Sequence, residues 1–278
     1  MRTYIDEEAL MKLIQRQGYL DFLRRNRNRP IVKVVSGIRR CGKSTLFRLF
    51  KDELLSEGVK PEQIISINFE ELEYEHLREY HALYQYILER MQPDEMNYIF
   101  LDEIQHVDQF HRVVDSLFVK ENTDLYITGS NAYFMSSDIA TLLTGRYVEI
   151  QMLPLSFSEF YHSKYDGNQY SLIPAYESYL RESSFPYTQQ LGGEDFDIQE
   201  YLRGLYNTLL LHDVVARLKI SDVTILQDIV RYIMSNIGSL LSPNKIANSL
   251  VSAGRKIDNK TVERYLQGLQ DSLLLYKV

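Results

Sequence analysis

The segment GIRRCGKS (residues 37–44) most constrains what this chain can fold into. It satisfies the pattern G-x-x-x-x-G-K-[ST], and it lies between a β-branched run, IVKVVSG, and a helical pattern that begins at Lys43. Gly37 and Gly42 allow backbone angles and close approaches that a side chain would prevent. Successive amide groups and the helix N-terminus can therefore point at phosphate oxygens. The segment predicts a phosphate-binding loop of the Walker A type.

The residue types in this loop also predict individual roles. Lys43 supplies a compact positive charge between the β- and γ-phosphates, and the Ser44 hydroxyl enters the Mg²⁺ shell. Cys41 is interpreted as a passive spacer rather than a redox switch. We expect ATP and Mg²⁺ as ligands, although the sequence does not by itself decide between ATP and GTP. The predicted nucleotide-binding residues are Gly37, Ile38, Arg39, Arg40, Cys41, Gly42, Lys43, Ser44 and Thr45.

Strand and helix patterns alternate through the first half of the chain. After the helical pattern that begins at Lys43, the strand candidates are IISINF, YIFLDEI and LYITGS, with helical patterns at residues 74–91 and 109–118. RYVEIQML, which starts at Arg146, is a further strand candidate. Strands separated by helices form right-handed crossovers and a parallel sheet with both faces covered. The sequence predicts an α/β fold with a three-layer P-loop NTPase core.

YIFLDEI (residues 98–104) ends in two acids and predicts the second half of the site. Asp102, at the carboxyl end of the predicted strand, is placed to hold Mg²⁺ through water. Glu103 is placed to orient or deprotonate the attacking water. A hydrophobic run that ends in two acids is common, but its position two strands after the phosphate-binding loop makes the prediction specific. The pair favours hydrolysis over phosphoryl transfer to a small molecule.

Two further side chains are candidates for the chemistry at the γ-phosphate. Asn131, or failing it Ser130, follows the strand LYITGS and could contact the γ-phosphate or the attacking water. The alternative is an ordinary polar helix cap. Arg146, in LTGRY, is a candidate arginine finger, because charge that develops on the γ-phosphate needs a guanidinium at close range. A surface arginine in a turn explains Arg146 equally well.

The final 36 residues predict a helix-turn-helix. Pro243 follows a serine at a helix start, SPNKIANSLVSAG ends in a glycine turn, and a second helix places apolar residues on one face. LLLYKV (residues 273–278) is then expected to begin a β-wing that is cut short. We predict an N-terminal helix, a P-loop core, a helical or loop-rich linker or lid, and an α-helical winged-helix domain, with the bounds 1–30, 31–163, 164–222 and 223–278.

Composition narrows the class of protein. The formal net charge is −7, but residues 243–278 carry six Lys and Arg against three Asp and Glu, so this end is positive. The single cysteine, Cys41, excludes an internal disulfide framework and a multi-cysteine metal site. The start of the chain is acidic where a secretory signal would be basic, and no stretch has the length of a membrane span. We therefore expect a cytoplasmic protein without membrane contact.

The order of these motifs resembles a known family. GIRRCGKSTL, YIFLDEIQ, LYITGSNA and LTGRYVEI with LPLSFSEF are similar to the prokaryotic AAA-type ATPases that join a P-loop core to a winged helix. Full-length members also carry a restriction-endonuclease-like carboxyl-terminal domain. The resemblance implies that Asp102 and Glu103 form Walker B, that Asn131 is the first sensor, and that Arg146 is a finger acting on a neighbouring subunit of a homo-oligomer.

Three functions remain open at this point. The first is an Mg²⁺-dependent ATPase that acts as a nucleotide switch coupled to the winged helix. The second is a non-enzymatic docking module for DNA or protein that nucleotide controls, with Lys260 and Arg264 reaching the phosphates of duplex DNA. The third, a P-loop kinase, ranks last because the region after Arg146 is rich in tyrosine and acids rather than arginines.

Overall fold

The computed structural model describes residues 13–130, 143, 145–165, 170–191 and 195–276. The chain divides into two compact units, Met1–Gln199 and Glu200–Val278. The strands are β1 (Val32–Ser36), β2 (Ile64–Asn68), β3 (Asn97–Asp102), β4 (Thr123–Gly129) and β5 (Tyr147–Gln151). The α-helices of the first unit are α1 (Gln17–Asn26), α2 (Lys43–Ser56), α3 (Tyr80–Arg90), α4 (Phe110–Phe118), α5 (Phe157–Tyr165) and α6 (Leu172–Glu182).

The five strands form one parallel sheet in the order β2-β3-β4-β1-β5. Strand β4 therefore lies between β1, which precedes the phosphate-binding loop, and β3, which ends at Asp102. Register aligns Ser36 of β1 with Gly129 of β4, so both strands end at the same edge. The parallel sheet predicted from the alternating patterns is confirmed.

Side chains alternate between the two faces of the sheet, and helices cover each face. On one face, Ile99 and Leu101 of β3 join a core that includes Leu117 of α4. On the other face, the rings of Phe100 and Tyr126 stack with centroids 4.7 Å apart. Helix α2 packs on this second face, because its Phe47 ring meets the Phe100 ring edge-on at 5.2 Å. The predicted three-layer α/β core is confirmed.

Two predicted helices are shorter in the structure. The N-terminal helix was expected within residues 1–30, but residues 13–16 are not helical and α1 begins at Gln17; residues 1–12 lie outside the described residues. The helix expected at residues 74–91 begins only at Tyr80, after a 3₁₀ segment, Leu72–Arg78. Glu79 separates the two, because its backbone is extended and its carboxylate caps the first turn of α3.

The region after β5 is more regular than its sequence indicates. The predicted linker or lid, 164–222, was expected to be helical or loop-rich, and its described first part contains the end of α5, α6 and a 3₁₀ turn, Pro186–Gln190. Tyrosines supply this order: the Phe157 ring of α5 meets the rings of Tyr176 and Tyr179 of α6 at 5.1 and 5.7 Å. The boundary between the two compact units, after Gln199, lies within the residues predicted as the linker, 164–222.

The second unit is helical. It contains the end of α7 (Asp195–Thr208), a π-helical segment (Leu209–Ala216), α8 (Val223–Met234), α9 (Pro243–Ser252) and α10 (Asn259–Asp271). Ser242 caps α9 and Asp258 caps α10, and Val262 of α10 lies in the core of the unit, as the helix-turn-helix prediction requires. LLLYKV was expected to start a strand, which is wrong for residues 273–276. Leu273 adopts a positive φ of 58°, so the chain turns there instead of extending.

Candidate functional site

The loop between β1 and α2 needs glycine at both of its predicted positions. A Cβ atom on Gly37 would overlap the carbonyl oxygen of Met152, which follows β5. Gly42 has a φ of +106°, a conformation that L side chains rarely adopt, and it immediately precedes Lys43, the first residue of α2. The loop is therefore closely packed on one side and opens its amide groups at the start of a helix.

Lys43 is buried inside this loop, with only 4% of its surface exposed. Its Nζ donates to the carbonyl oxygens of Gly37 at 3.0 Å and Ile38 at 3.4 Å. It also lies 3.2 Å from Oε1 of Glu103, at the end of β3. An ammonium group is buried only where charge and hydrogen bonds compensate it. The structure thus brings together two residues 60 positions apart that the sequence assigned to one site.

Thr128 of β4 joins the two acids. Its hydroxyl donates to Oδ1 of Asp102 and accepts the backbone N–H of Glu103 at 2.9 Å. Asp102 also accepts a hydrogen bond from Ser44 of α2. Burial raises the pKa of Asp102, while the hydrogen bonds from Ser44 and Thr128 oppose that rise. Thr128 therefore fixes the positions of Asp102 and Glu103 relative to each other. It does so from β4, the strand that lies between β3 and β1.

Glu103 has a left-handed backbone, with φ 54° and ψ 46°. Such a conformation is unfavourable for a residue other than glycine, and residues strained in this way cluster at functional sites. Gln105 donates through Nε2 to Oε2 of Glu103, and Ser130 contributes a further hydrogen bond. Burial would raise the pKa of Glu103, but Lys43, Ser130 and Gln105 outweigh it and lower that pKa. The Glu103 carboxylate is therefore kept ionised, and its orientation is fixed by these hydrogen bonds.

The remaining predicted loop residues differ in their surroundings. Ile38 and Cys41 are buried, Thr45 is half-buried, and Arg39 pairs with Glu70 at 2.9 Å. Arg40 is exposed and has a positive φ of 64°. Burial raises the pKa of the Cys41 thiol, so the thiol is held in its unreactive neutral form. This agrees with the interpretation of Cys41 as a spacer.

The two candidates for the γ-phosphate have separate outcomes. Asn131 lies outside the described residues, whereas Ser130, the alternative, is buried beside Glu103 and Gln105. Arg146 precedes β5, and its carbonyl oxygen accepts the N–H of Val32 at the start of β1. It therefore lies at the opposite edge of the sheet from the loop, about 16 Å away along the strand. Within one chain the structure does not bring Arg146 to the site.

Arg146 has contacts of its own at that edge. Its guanidinium lies 3.3 Å from Oδ1 of Asp115 and 5.5 Å from the centre of the Phe118 ring, both on α4. About half of its side chain remains exposed, 49%. The surface position agrees with a side chain in a turn, and it also leaves the guanidinium accessible to another molecule.

The chemistry of these side chains fits a magnesium nucleotide. Ser44 and Asp102 offer hydroxyl and carboxylate oxygens, the ligand atoms that Mg²⁺ prefers, within hydrogen-bond distance of each other. The helix N-terminus at Lys43 and the glycine-lined loop fit an anion. Both parts of the site lie at the carboxyl edge of the parallel sheet, where ligands of open α/β sheets bind.

Three residues of this network escaped the sequence analysis. Thr128 is a polar residue inside a buried strand, and that contrast was the available signal. Gln105 lies two residues after Glu103, which places its amide within reach. Arg16 is an arginine among the apolar residues of the N-terminal segment, and its guanidinium donates to the Cys41 carbonyl at 3.3 Å. Nothing in its spacing from the loop indicated that contact.

Comparisons with known proteins agree with this geometry. Residues 29–161 match the AAA domain family, and residues 173–278 match a domain of unknown function. An uncharacterised protein of Haemophilus influenzae is 37% identical over 268 residues, which cover 95% of this chain. The chain spans 66% of the length of that relative. Within the described residues, each helix is too short or too polar to cross a membrane.

Two solved structures share the fold. The Walker-type ATPase of Pyrococcus abyssi superimposes with a TM-score of 0.64 at 16% identity, covering 93% of this chain and 89% of that one. The ORC2 protein of Aeropyrum pernix, in its ADP form, gives 0.52 at 11% identity, with coverage of 92% and 85%. At such identities the likeness concerns the fold alone. Residues 29–161 thus have a P-loop NTPase fold and match the AAA domain family.

Proposed function

We propose that this protein binds ATP and hydrolyses it with the help of Mg²⁺, as a nucleotide-controlled switch. The observation that carries the proposal is the convergence of Lys43, Asp102 and Glu103 at one edge of the sheet, joined through Thr128. An ion pair between two buried groups also serves stability in other proteins. Here the pair borders a loop whose amides and glycines suit phosphate, and this favours the catalytic interpretation.

The phosphates would lie against the loop amides and the ammonium of Lys43. The Lys43 Nζ now donates to two carbonyls of its own loop, and phosphate oxygens are stronger acceptors for the same hydrogens. A cavity beside the loop would take the base. Apolar side chains form most of its wall; its lining includes Leu13, Ile14, Arg16, Met152, Pro186 and Gln190.

Ser44 and Asp102 would hold Mg²⁺ beside the β- and γ-phosphates. The ion, when bound, neutralises negative charge on the phosphoryl oxygens. Ser44 is exposed and would offer its hydroxyl to the ion, and Asp102 is fixed in place by the hydroxyl of Thr128. Replacing Thr128 would therefore disturb metal binding without removing either ligand.

Glu103 would accept a proton from the attacking water. Its lowered pKa keeps it ionised at neutral pH, and Gln105 with Ser130 fixes its direction. The Oε1 atom of Gln105 is buried and has no hydrogen-bond partner among the described residues. Because this oxygen is buried, the Gln105 amide would have to turn towards the nucleotide to accept a hydrogen bond from the attacking water and help to orient it. Asn131, which follows Ser130 in the sequence, remains a candidate sensor.

Arg146 would act on the nucleotide of a neighbouring copy. Its position rules out contact with the site of its own chain, while its half-exposed guanidinium can reach another molecule. This requires a homo-oligomer that nucleotide promotes. Sedimentation with a non-hydrolysable ATP analogue tests the requirement: we expect self-association, and a monomer at every protein concentration would contradict it.

The direct test of the proposal is phosphate release from ATP. We expect the wild-type chain to release phosphate only when Mg²⁺ is present, and Lys43→Ala to lose both ATP binding and release. A loss of about 100-fold or more is expected for a residue that stabilises transferred charge. A matched control is Lys60→Ala, which removes an exposed lysine that pairs with Glu95 outside the site. Equal activity of Lys43→Ala and wild type would contradict the proposal.

DNA is the candidate partner of the second unit. Lys260 and Arg264 are both exposed on α10, the second helix of the helix-turn-helix, and Lys245 is exposed on α9. Phosphate contacts release counterions, so affinity for duplex DNA should fall as salt rises. We expect Lys260→Glu combined with Arg264→Glu to abolish binding. An affinity independent of salt would favour the alternative, a docking surface for protein.

A further inference from the structure

Arg16 is a buried arginine that lies just before α1 and borders the phosphate-binding loop. Only 4% of its surface is exposed. Its guanidinium forms a two-bonded ion pair with Glu159 of α5, with Nε–Oε1 at 2.8 Å and Nη2–Oε2 at 2.9 Å. Burial of such a group is unfavourable unless its N–H donors are satisfied. The rest of its contacts show where the remaining donors point.

Three backbone carbonyls accept these donors. Nη1 donates to Cys41 at 3.3 Å and to Leu153 at 2.5 Å, and Nη2 donates to Pro154 at 3.2 Å. Cys41 belongs to the phosphate-binding loop, and the other two belong to the connection between β5 and α5. One side chain therefore ties the N-terminal segment, the loop and this connection together.

The contact with Cys41 controls an amide of the loop. A peptide unit is planar and trans, so its carbonyl and its N–H point in opposite directions. Because Arg16 holds the carbonyl of Cys41, it also fixes the direction of the Gly42 N–H, which points away from Arg16. Gly42 directly precedes α2, where amide groups face a bound anion.

The connection after β5 supports the other end of the loop. The Met152 N–H donates to the carbonyl of Ser36 at 2.6 Å, and the Met152 carbonyl lies where a side chain on Gly37 would be. Arg16 holds the next two residues of the same connection, Leu153 and Pro154. Both ends of the phosphate-binding loop thus rest on groups that one guanidinium arranges.

We propose that Arg16 is a positioning residue for nucleotide binding, which acts by orienting the Cys41–Gly42 peptide, and that Glu159 positions Arg16. The inference rests on the proposed function, because it assumes that the loop binds ATP. Glu159 is itself fixed: it accepts the N–H and the hydroxyl of Ser156 at 2.8 and 2.9 Å at the start of α5. The alternative is that Arg16 only stabilises the fold by joining these segments.

The chain offers a matched control for that alternative. Arg24 of α1 forms a similar two-bonded ion pair with Glu53 of α2, at 2.6 and 2.7 Å. It also donates to Asp21 on its own helix. These partners lie outside the phosphate-binding loop. Arg24 therefore joins two helices by the same kind of ion pair as Arg16, but without a contact to Cys41.

The test compares Arg16→Gln, Arg24→Gln and Lys43→Ala with wild type. The probe is a fluorescent N-methylanthraniloyl derivative of ATP with Mg²⁺, and the measurements are Kd, turnover at saturating ATP and the melting temperature. We expect Arg16→Gln to raise Kd by about tenfold, the loss of one hydrogen bond to a charged group, with turnover within about twofold. Arg24→Gln should lower the melting temperature while leaving Kd unchanged.

Glu159→Gln keeps the experiment informative if Arg16→Gln does not fold. The amide retains one acceptor oxygen for Arg16, so we expect a smaller rise in Kd, about threefold. A folded Arg16→Gln with Kd within about twofold of wild type would overturn the inference, as would an equal rise in Arg24→Gln. If Lys43→Ala bound the probe like wild type, the proposed function would fail whatever Arg16 does.

Discussion

Two buried lysine–carboxylate pairs lie at opposite ends of the strands of the sheet. Lys33 of β1 pairs with Asp124 of β4 near the amino edge of the sheet. Lys43, after β1, lies 3.2 Å from Glu103 at the carboxyl edge. Both pairs join segments that are distant in sequence. Their surroundings differ, and the difference separates a structural pair from a functional one.

The pair at the amino edge is closed. Neither Lys33 nor Asp124 has an exposed side chain, and Asp124 also accepts the Asn28 N–H at 2.8 Å and the Tyr126 hydroxyl at 2.7 Å. Burial lowers the pKa of Lys33, and Asp124 opposes that shift. With both partners satisfied inside the fold, this pair has no remaining group for a ligand.

The pair at the carboxyl edge is open on one side. Lys43 donates to carbonyls of its own loop, and the next residue, Ser44, is exposed. An incoming anion can replace those carbonyls as the acceptor for Lys43 without breaking the fold. The comparison teaches that a buried charge indicates a functional site only where a ligand can replace some of its hydrogen-bond partners.

The largest expected effect is at the closed pair. Asp124→Asn should lower the free energy of unfolding by about 3–5 kcal/mol, because it leaves the Lys33 charge buried without its partner. Urea denaturation measures this. Lys43→Met also removes a charge partner, that of Glu103, but Glu103 keeps its hydrogen bonds from Gln105 and Ser130, so we expect a smaller loss. Equal losses in the two variants would break the comparison.

Gly37→Ala should destroy nucleotide binding and destabilise the chain by about 1–3 kcal/mol, as overpacking does. The reason is the overlap of its Cβ with the Met152 carbonyl. Gly18→Ala in α1 is the control, because open space surrounds that position and alanine favours a helix by about 1 kcal/mol. Titration with ATP and thermal unfolding measure both effects. A Gly37→Ala protein that binds ATP normally would contradict the close packing.

Thr128→Val should slow ATP hydrolysis by about 10- to 100-fold, the loss of one well-placed hydrogen bond or slightly more. The substitution keeps the shape of the side chain but removes the hydroxyl that joins Asp102 and Glu103. Steady-state phosphate release measures the effect. Thr123→Val is the control, because its hydroxyl bonds only to the carbonyls of Leu117 and Lys120 at the other end of β4. Unchanged turnover in Thr128→Val would show that the acids need no such link.

The smallest effect concerns pH. Burial would raise the pKa of Glu159, but hydrogen bonds from Arg16 and Ser156 outweigh it and lower that pKa. The stabilisation is therefore fully present above the unfolded value, about 4.3, and is lost as pH falls through the folded value. The difference in unfolding free energy between wild type and Glu159→Gln should shrink in acid. A difference that stays constant down to about pH 3 would contradict the ion pair.

Much of the fold followed from the sequence because its signals are local. Four strands and the phosphate-binding loop lie within short apolar or glycine-containing segments, and the parallel sheet follows from their alternation with helices. The regular structure after β5 was not predicted, because Tyr176 and Tyr179 order it by packing against Phe157 of the preceding helix. The end of α10 escaped for a similar reason: the N–H groups of Leu274 and Leu275 both bond to the Leu269 carbonyl and close a turn.

For the site, the sequence predicted the reacting groups but not what holds them. Lys43, Ser44, Asp102 and Glu103 belong to motifs with fixed spacing, and the structure brings them together. Thr128 and Arg16 act through contacts between segments that only the folded chain defines. The position of Arg146 depends on the register of β5 with β1, which local sequence does not specify.

The most direct test of the central claim separates binding from turnover at Glu103. Glu103→Gln keeps the size of the side chain and removes the group that accepts a proton. We predict that this variant binds Mg²⁺–ATP within about threefold of wild type and releases phosphate at least about 100-fold more slowly. Wild-type rates of release by Glu103→Gln would contradict the account.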